Sequence, residues 1–360
     1  MPDVELGFLG RLTPERFETP AILKRLAGAS RVLAELKGVA QTLPNQEILI
    51  RTLGLQEAKD SSEIENFVTT HDDLFKDDSH DEPGLAPAVK EVQRYRQAMR
   101  VGFDSVKATG LLTLDQILEI QATLEETRAG FRKVPGTTLR AGDGRVMYTP
   151  PQHPERIAAL MGDLERFLNE PDLFPADPLV KMAIAHHQFE SIHPFYDGNG
   201  RTGRIVNVLY LILSGLLDSP VLYLSRHIVR TKREYYRLLQ EVRERDAWEE
   251  WTLYMLQAVE TTARDAIGTV KDIRDAFYEA KHRLRDGYKF YSQDLLNNLF
   301  SHPYTKIEFV QKDLSVSRLT ASKFLDLLAR GGLLEKRRIG RGNYYVNTRL
   351  TAILTREVAG

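Results

Sequence analysis

The sequence predicts a mainly α-helical protein of several domains, with one small β-hairpin and a carboxy-terminal winged helix-turn-helix. Three observations carry this expectation. At 360 residues the chain exceeds what one hydrophobic core usually fills. Apolar residues recur at three- and four-residue spacing through most of its length, the period of an amphipathic helix. Short β-prone runs occur in only two places, around Gly142 to Gly144 and near the carboxy end. The expected divisions are residues 1–95, a helical region; 96–285, a central helical domain; and 286–350, the winged helix.

From Ala21 to Gln41, Leu23, Leu26, Leu33, Leu36 and Ala40 mark one helix, which Pro44 closes. A second runs from Gln46 to about Ala58. An acidic stretch follows, DSSEIENFVTTHDDLFKDDSHDEP, with a boundary at Pro83 and Gly84. Two helices are expected between Ala86 and Thr127. A hairpin from Thr137 to Tyr148 then turns at Asp143-Gly144. Helical spacing returns at Ile157 to Leu168, Pro178 to Ile192, Thr202 to Leu216 and Lys232 to about His282. Beyond Tyr288 come a helix, a break at Pro303, helices around Ile307 to Lys312 and Ser317 to Arg330 with a turn at Ser315 to Ser317, and the ribbon GGLLEKRRIGRGNYYVN.

Composition narrows the function. Lysine and arginine total 49 against 50 aspartates and glutamates, so the whole chain has no field to draw it to nucleic acid or membrane. The absence of cysteine excludes disulfides, thiolate zinc and cysteine nucleophiles, and fits a reducing compartment. The longest apolar run, Ile205 to Leu217, is too short to span a bilayer, and the start MPDVELGFLGRL does not read as a secretory signal. A cytoplasmic protein without a membrane partner is expected.

The chemistry is concentrated at residues 193–204, HPFYDGNGRTGR, a density of histidine, aspartate, asparagine, glycine and arginine that packing does not require. Gly198, Gly200 and Gly203 let backbone amides approach a ligand at the start of an apolar helix, where an anion is stabilised. Arg201 and Arg204, three residues apart, are placed to hold two phosphates of one chain. Asp197 offers an oxygen of the kind magnesium takes alongside phosphate. His193 is the nearby group able to remove a proton near neutral pH.

The stretch resembles the signature of the Fic (Fic/DOC) family, H-x-F-x-[DE]-G-N-G-R-x-x-R, at every fixed position. The resemblance implies a Fic-type helical core and a protein adenylyltransferase that moves AMP from ATP to a hydroxyl of a target protein or of itself. His193 would be its base and Asp197 its Mg2+ ligand. Gly198, Asn199, Gly200, Arg201, Thr202, Gly203 and Arg204 would hold nucleotide, with Tyr235 beside it. Relatives that phosphorylate have lysine where this chain has Gly200, so AMP transfer is implied. The hairpin matches the family's flap, with Thr138, Leu139 and Arg140 as the edge that docks the target. Ser61, Glu65 and Asn66 fit the family's inhibitory helix, [ST]-x-x-x-E-[GN], placed at about residues 57–70. This implies that Glu65 pairs with Arg204 and restrains the enzyme. A homodimer is also expected from the resemblance.

Other readings compete. Ser62 and Glu65 also spell a capping box that would simply start a helix. His186, Glu190 and His193 share a helical face as metal ligands would, although Pro194 ends that helix and no zinc pattern matches. From another class, the protein reads as a DNA-binding regulator in which the Fic core senses nucleotide or removes AMP. Arg318 and Lys323 would face the major groove, and Lys336, Arg337, Arg338 and Arg341 would lie on the wing. A protein partner at the winged helix is the alternative use of that surface.

Overall fold

A computed structural model describes residues 6–76, 86–140, 142, 144–339 and 342–356. The amino-terminal helices are α1 (Pro20–Ala40), α2 (Gln46–Ile64), α3 (His71–Lys76) and α4 (Pro87–Thr109). The centre holds α5 (Leu114–Glu125), strands β1 (Leu139–Arg140) and β2 (Val146–Tyr148), then α6 (Pro154–Asn169), α7 (Pro178–Ile192) and α8 (Asn199–Leu213). It continues with α9 (Ser225–Arg230), α10 (Lys232–Arg245) and α11 (Trp248–Gly287). The carboxy-terminal part comprises α12 (Gln293–Ser301), β3 (Tyr304–Thr305), α13 (Ile307–Leu314), α14 (Arg318–Arg330), β4 (Glu335–Ile339), β5 (Gly342–Val346) and α15 (Thr348–Thr355).

Helix α7 is buried on every face, which its apolar run over Met182 to Ala185 favours. It packs against α8 and α6, and α4 and α5 cover α8 from another side. Close approach there depends on Gly102, since a Cβ at that position would lie 2.5 Å from Leu209 Cδ1 and 2.9 Å from Ile120 Cδ1. Trp251, fully buried on α11, donates its indole N–H to the Ala183 carbonyl at 2.8 Å and locks α11 to the back of α7. Helix α1 lies along α11, its Ile22, Ala29, Val32, Leu33 and Leu36 stripe turned inward.

Two elements differ from the sequence reading. Helix α2 does not stop near Ala58 but runs to Ile64, so Ser62 and Glu65 stand at a helix end and form no capping box. Burial of Ser61 and Ser62 against the core outweighs the weak helical preference of two serines. The helical stretch expected from Lys232 to about His282 is divided at Asp246, which takes a left-handed conformation (φ 60°) and separates α10 from α11. The break is held from outside, because Arg16 donates to the Asp246 carbonyl at 2.6 Å and pairs with its carboxylate. The expected boundary at Pro83 and Gly84, and Asp143 of the hairpin turn, lie outside the described residues.

The carboxy-terminal part is a helix-turn-helix with a ribbon. Ser315 (φ 53°) makes the turn, Ser317 caps α14 by accepting the Thr320 amide at 3.2 Å, and the antiparallel sheet runs β3-β5-β4. Glu335 faces Val346 and Ile339 faces Gly342 across the ribbon. The expected break at residue 285 falls in the last turn of α11. Among the described residues no helix is long and apolar enough to cross a membrane.

Candidate active site

The residues singled out in the signature come together where α7 ends and α8 begins. Pro194 cannot continue α7, and His193 caps it in a left-handed conformation (φ 48°) that turns the chain away from the helix axis. Two arginines brace this end. Buried Arg132 donates to the His193 carbonyl at 2.7 Å, to Pro151 at 2.9 Å and to Ile192 at 3.3 Å. Arg243 donates to Ser191 Oγ at 3.0 Å and to the Glu190 carbonyl at 3.3 Å, with its guanidinium 3.9 Å from the Tyr148 ring centre. Cations at a helix carboxy-terminus satisfy its orphan carbonyls and complement its dipole. They also act on the imidazole: burial, then Arg132 and Arg243, push the His193 pKa down to about 4. His193 is therefore neutral near pH 7, as a proton acceptor must be.

The loop after His193 is shaped by its own side chains. Asn199 accepts the Phe195 amide at 2.8 Å and donates to the Phe195 carbonyl at 2.9 Å, closing the loop on itself. Gly198 takes φ 77° and precedes the first turn of α8; a Cβ there would also lie 2.3 Å from Glu125 Oε1. Asp197 accepts the Gly198 amide at 2.7 Å, while its side chain stays 81% exposed.

Above this turn sits Glu65. Arg204, 1% exposed, donates to Glu65 Oε1 at 3.0 Å, to Ser61 Oγ at 2.8 Å and to the Ser61 carbonyl at 3.0 Å. Glu65 Oε1 would lie only 2.5 Å from a Cβ on Gly200. A carboxylate thus occupies the space over the first turn of α8, where a helix stabilises an anion. Burial pushes the Glu65 pKa up, but Arg204, with Arg201 and Lys232, outweighs it and holds the group below its ordinary value. The motif explains itself locally: Ser61 fixes the guanidinium, Glu65 meets it, and Asn66 (φ 68°) ends the helix in a conformation that asparagine tolerates. Lys232 secures that end by donating to the Ile64 carbonyl at 2.6 Å.

Other residues fall differently from expectation. Arg201 does not lie beside Arg204 in an open cradle; it is 2% exposed, in contact with Glu91 and paired with Glu125 at 2.8 Å. Its Nε has no partner among the described residues. Thr202 is fully buried behind the turn. Tyr235 is corrected from a nucleotide neighbour to a core residue, 1% exposed, its hydroxyl 2.8 Å from His186 Nε2 and its ring packed on Trp251. One step along a helix rotates a side chain by about 100°, so the adjacent Tyr236, 47% exposed, is the member of the pair that faces outward. His186, stacked on Trp251 and pushed to a pKa of about 3 by burial, is a core histidine. Among the described residues no three side chains are grouped to hold a metal.

The hairpin stands beside the site. Leu139 pairs with Tyr148 and Arg140 with Val146, with a bulge between, and Tyr148 Oη donates to the Ser191 carbonyl at 2.9 Å. Arg140 is exposed, Thr138 and Leu139 half-buried. Tyr196 ties the signature loop to the hairpin's approach by accepting the Lys133 amide at 2.9 Å. Sequence reasoning missed Arg132, Arg243 and Tyr196. The first two lie far from the signature in sequence, whereas Tyr196 sits inside it and was open to notice.

A helical core in which a glycine-rich loop opens a buried helix, with a hairpin alongside and a glutamate over the loop, defines a Fic-type fold. Residues 23–104 match the Fic/DOC family N-terminal domain, 111–211 the Fic/DOC family domain, and 278–350 the protein adenylyltransferase SoFic-like C-terminal domain. The chain belongs to the Fic family. It is 29% identical over 171 residues to protein adenylyltransferase fic-1 of Caenorhabditis elegans, covering 46% of this chain and 30% of that protein. It is 31% identical over 141 residues to protein adenylyltransferase Fic of Aedes aegypti, covering 39% and 26%. The chain thus spans less than a third of the length of these curated relatives. Among solved structures, a Fic family protein from Desulfovibrio desulfuricans superposes with TM-score 0.59 at 21% identity, covering 93% of this chain and 98% of that one. Fic-1 of C. elegans (residues 134–508) superposes at 0.54 and 21%, covering 69% and 72%.

Proposed function

We propose that this chain is a protein adenylyltransferase that moves AMP from ATP to a serine, threonine or tyrosine hydroxyl of a target protein or of itself, and that Glu65 restrains it. The observation that carries the reading is the Glu65 carboxylate held by Arg204 over the first turn of α8: an anion of the chain's own occupies a cradle suited to phosphate. His193, neutral and beside the hairpin, takes the proton of the hydroxyl. The freed oxygen forms a bond to the α-phosphorus, the bond to the β-phosphate oxygen breaks, and pyrophosphate leaves. The amino-terminal amides of α8 meet the charge that develops, and Arg204, freed from Glu65, holds the departing phosphates. The exposed Asp197 carboxylate fits magnesium, which binds through one or two carboxylates and substrate phosphates. When bound there, magnesium would neutralise phosphate charge. Among the described residues the hairpin is a two-stranded sheet, and its free edge is where an extended target segment would add a strand. Lack of cysteine supports a cytoplasmic setting.

The test is the mass of the intact protein after incubation with ATP and magnesium. A gain of one AMP by the Glu65→Gly chain supports the reading, and its absence on this chain and on every protein of a cell lysate overturns it. The initial rate of the Glu65→Gly enzyme should also stay level from about pH 6 to 8 and fall only as pH approaches about 4, because His193 is the proton acceptor above its own depressed pKa. An acid limb centred near 6.5, the ordinary imidazole value, would contradict the environment described for His193. A third expectation concerns Asn66. Asn66→Gly should leave the restrained rate unchanged, while Asn66→Val should raise it by about five- to thirtyfold, since a β-branched residue at φ 68° costs about 1–2 kcal/mol.

For the winged helix, a protein contact is favoured over DNA. Arg318 is paired with Glu308 at 2.6 Å, Lys336 with Asp326 at 2.7 Å and Arg337 with Glu335 at 2.8 Å. One of the cations expected to face the major groove and two of those expected to meet phosphate are thus already paired within the module. Lys323 and Arg338 are exposed, and Arg341 lies outside the described residues.

A further inference from the structure

The helix that carries Glu65 is held by the carboxy-terminal module as well as by the catalytic core. On the core side, the buried Glu57 carboxylate accepts from the Ser225 hydroxyl at 2.5 Å, from its amide at 3.1 Å and from Tyr95 Oη at 3.1 Å. The adjacent residue, Gln56, is turned to the module: its Nε2 donates to the Leu354 carbonyl of α15 at 2.6 Å in a buried contact. Its Oε1 lies 2.9 Å from His71 Nε2 on α3. One turn earlier, Arg51 Nη1 lies 3.2 Å from His302 Nε2, just after α12. Beyond Glu65 the chain is gripped again. Tyr304, on β3, donates its hydroxyl to Asp72 at 2.5 Å, and its ring centre lies 5.6 Å from that of the buried Phe75.

The module therefore touches the chain on both sides of Glu65, at Arg51 and Gln56 before it and at Asp72 and Phe75 after it. Tyr304 pairs with Val346 on β5, the central strand, which carries the wing strand β4 on its other edge, and Arg337 of β4 lies 3.3 Å from the Tyr304 hydroxyl. The grip on the inhibitory segment and the wing belong to one sheet.

We propose that the carboxy-terminal module is a clamp that keeps the inhibitory helix seated, so that loosening this interface releases Glu65 from Arg204. The proposal rests on Glu65 being inhibitory. A swing of the Glu65 side chain alone would leave these contacts intact. Withdrawal of the helix as a body, with Asn66 and the segment to α3 following, must break them. Each hydrogen bond contributes modestly, but two or three in one interface are enough to shift a two-state equilibrium by an order of magnitude. Any partner that draws on the wing would then act on the catalytic site through Tyr304.

The test is made on the full chain with Gln56→Ala/Tyr304→Phe, which removes four hydrogen bonds, two made by Gln56 and two by the Tyr304 hydroxyl, and keeps both aromatic rings of the Phe75 contact. Asp72→Asn is the milder companion should the double variant lose its fold. We expect AMP incorporation to rise about tenfold in the chain that retains Glu65, and amide hydrogen exchange to quicken in the last turn of α2. In the Glu65→Gly background the same changes should leave the rate unaltered, because nothing remains to be released. A rate within twofold of the parent, from folded variants, while Glu65→Gly is active, overturns the clamp. If Glu65→Gly is itself inactive, the reading of the site has failed instead, and exchange in α2 alone decides: unchanged protection overturns the clamp, and quickened exchange upholds it.

Discussion

Glu65→Gly should raise AMP incorporation by about a hundredfold or more. The carboxylate makes an ion pair at 3.0 Å with a guanidinium that is 1% exposed, and it fills the space over Gly200 that the outermost phosphate would need. On the proposed reading nucleotide has to displace it, and a hundredfold corresponds to about 2.7 kcal/mol, within the range for hydrogen bonds between charged groups. Glycine removes the competitor without disturbing its partner, because Ser61 still holds Arg204 through its hydroxyl and its carbonyl. The backbone tolerates the change, since Glu65 has φ −89° and ends the helix rather than standing inside it. Glu65→Gln, which can still hydrogen-bond but carries no charge, should fall between the two. Titration with ATP, ADP and AMP supplies the check that separates this account from general loosening: affinity for ATP should rise most. An equal gain for all three, or no gain, would mean that Glu65 does not compete with phosphate.

His193→Ala, introduced into the Glu65→Gly chain, should reduce AMP transfer by about 100- to 10,000-fold, the usual contribution of a positioned base. Nucleotide affinity should change little, because the groups offered to phosphate lie on α8 and not on the imidazole. Arg132 and Arg243 grip backbone carbonyls and Ser191, so the end of α7 keeps its bracing when the ring is gone. The left-handed backbone at His193 makes alanine slightly strained. His193→Asn, which accepts that conformation, separates loss of the base from loss of the turn. A double variant that retains most of its activity with either substitution would show that the hydroxyl loses its proton elsewhere.

Much of the site was legible because its residues are contiguous. Histidine, aspartate, three glycines and two arginines within one short stretch pointed to a phosphate cradle before any fold was known. The Ser61, Glu65 and Asn66 pattern was legible only through resemblance, since by itself the segment reads first as a helix start capped by Ser62 and Glu65; burial of Ser61 and Ser62 decided that it is a helix end. Spacing placed Arg201 and Arg204 on one side of a helix, yet Arg201 turns into Glu91 and Glu125 while Arg204 meets Glu65. Those carboxylates come from α4 and α5, and nothing in the local pattern of α8 announces them. The tyrosine pair shows the same limit, because which ring faces the core depends on the rotation of α10 against Trp251.

The sequence by itself determined the helical class, the winged carboxy-terminal module and the glycine-rich turn, because periodicity, proline breaks and glycine are local properties of a chain. Tertiary structure alone decided how far α2 runs, where α10 and α11 part, which arginines depress His193, and that the module grips the segment bearing Glu65. Each of these rests on a contact between residues distant in the chain, where burial or a fixed charge outweighs a local preference of a few tenths of a kcal/mol per residue.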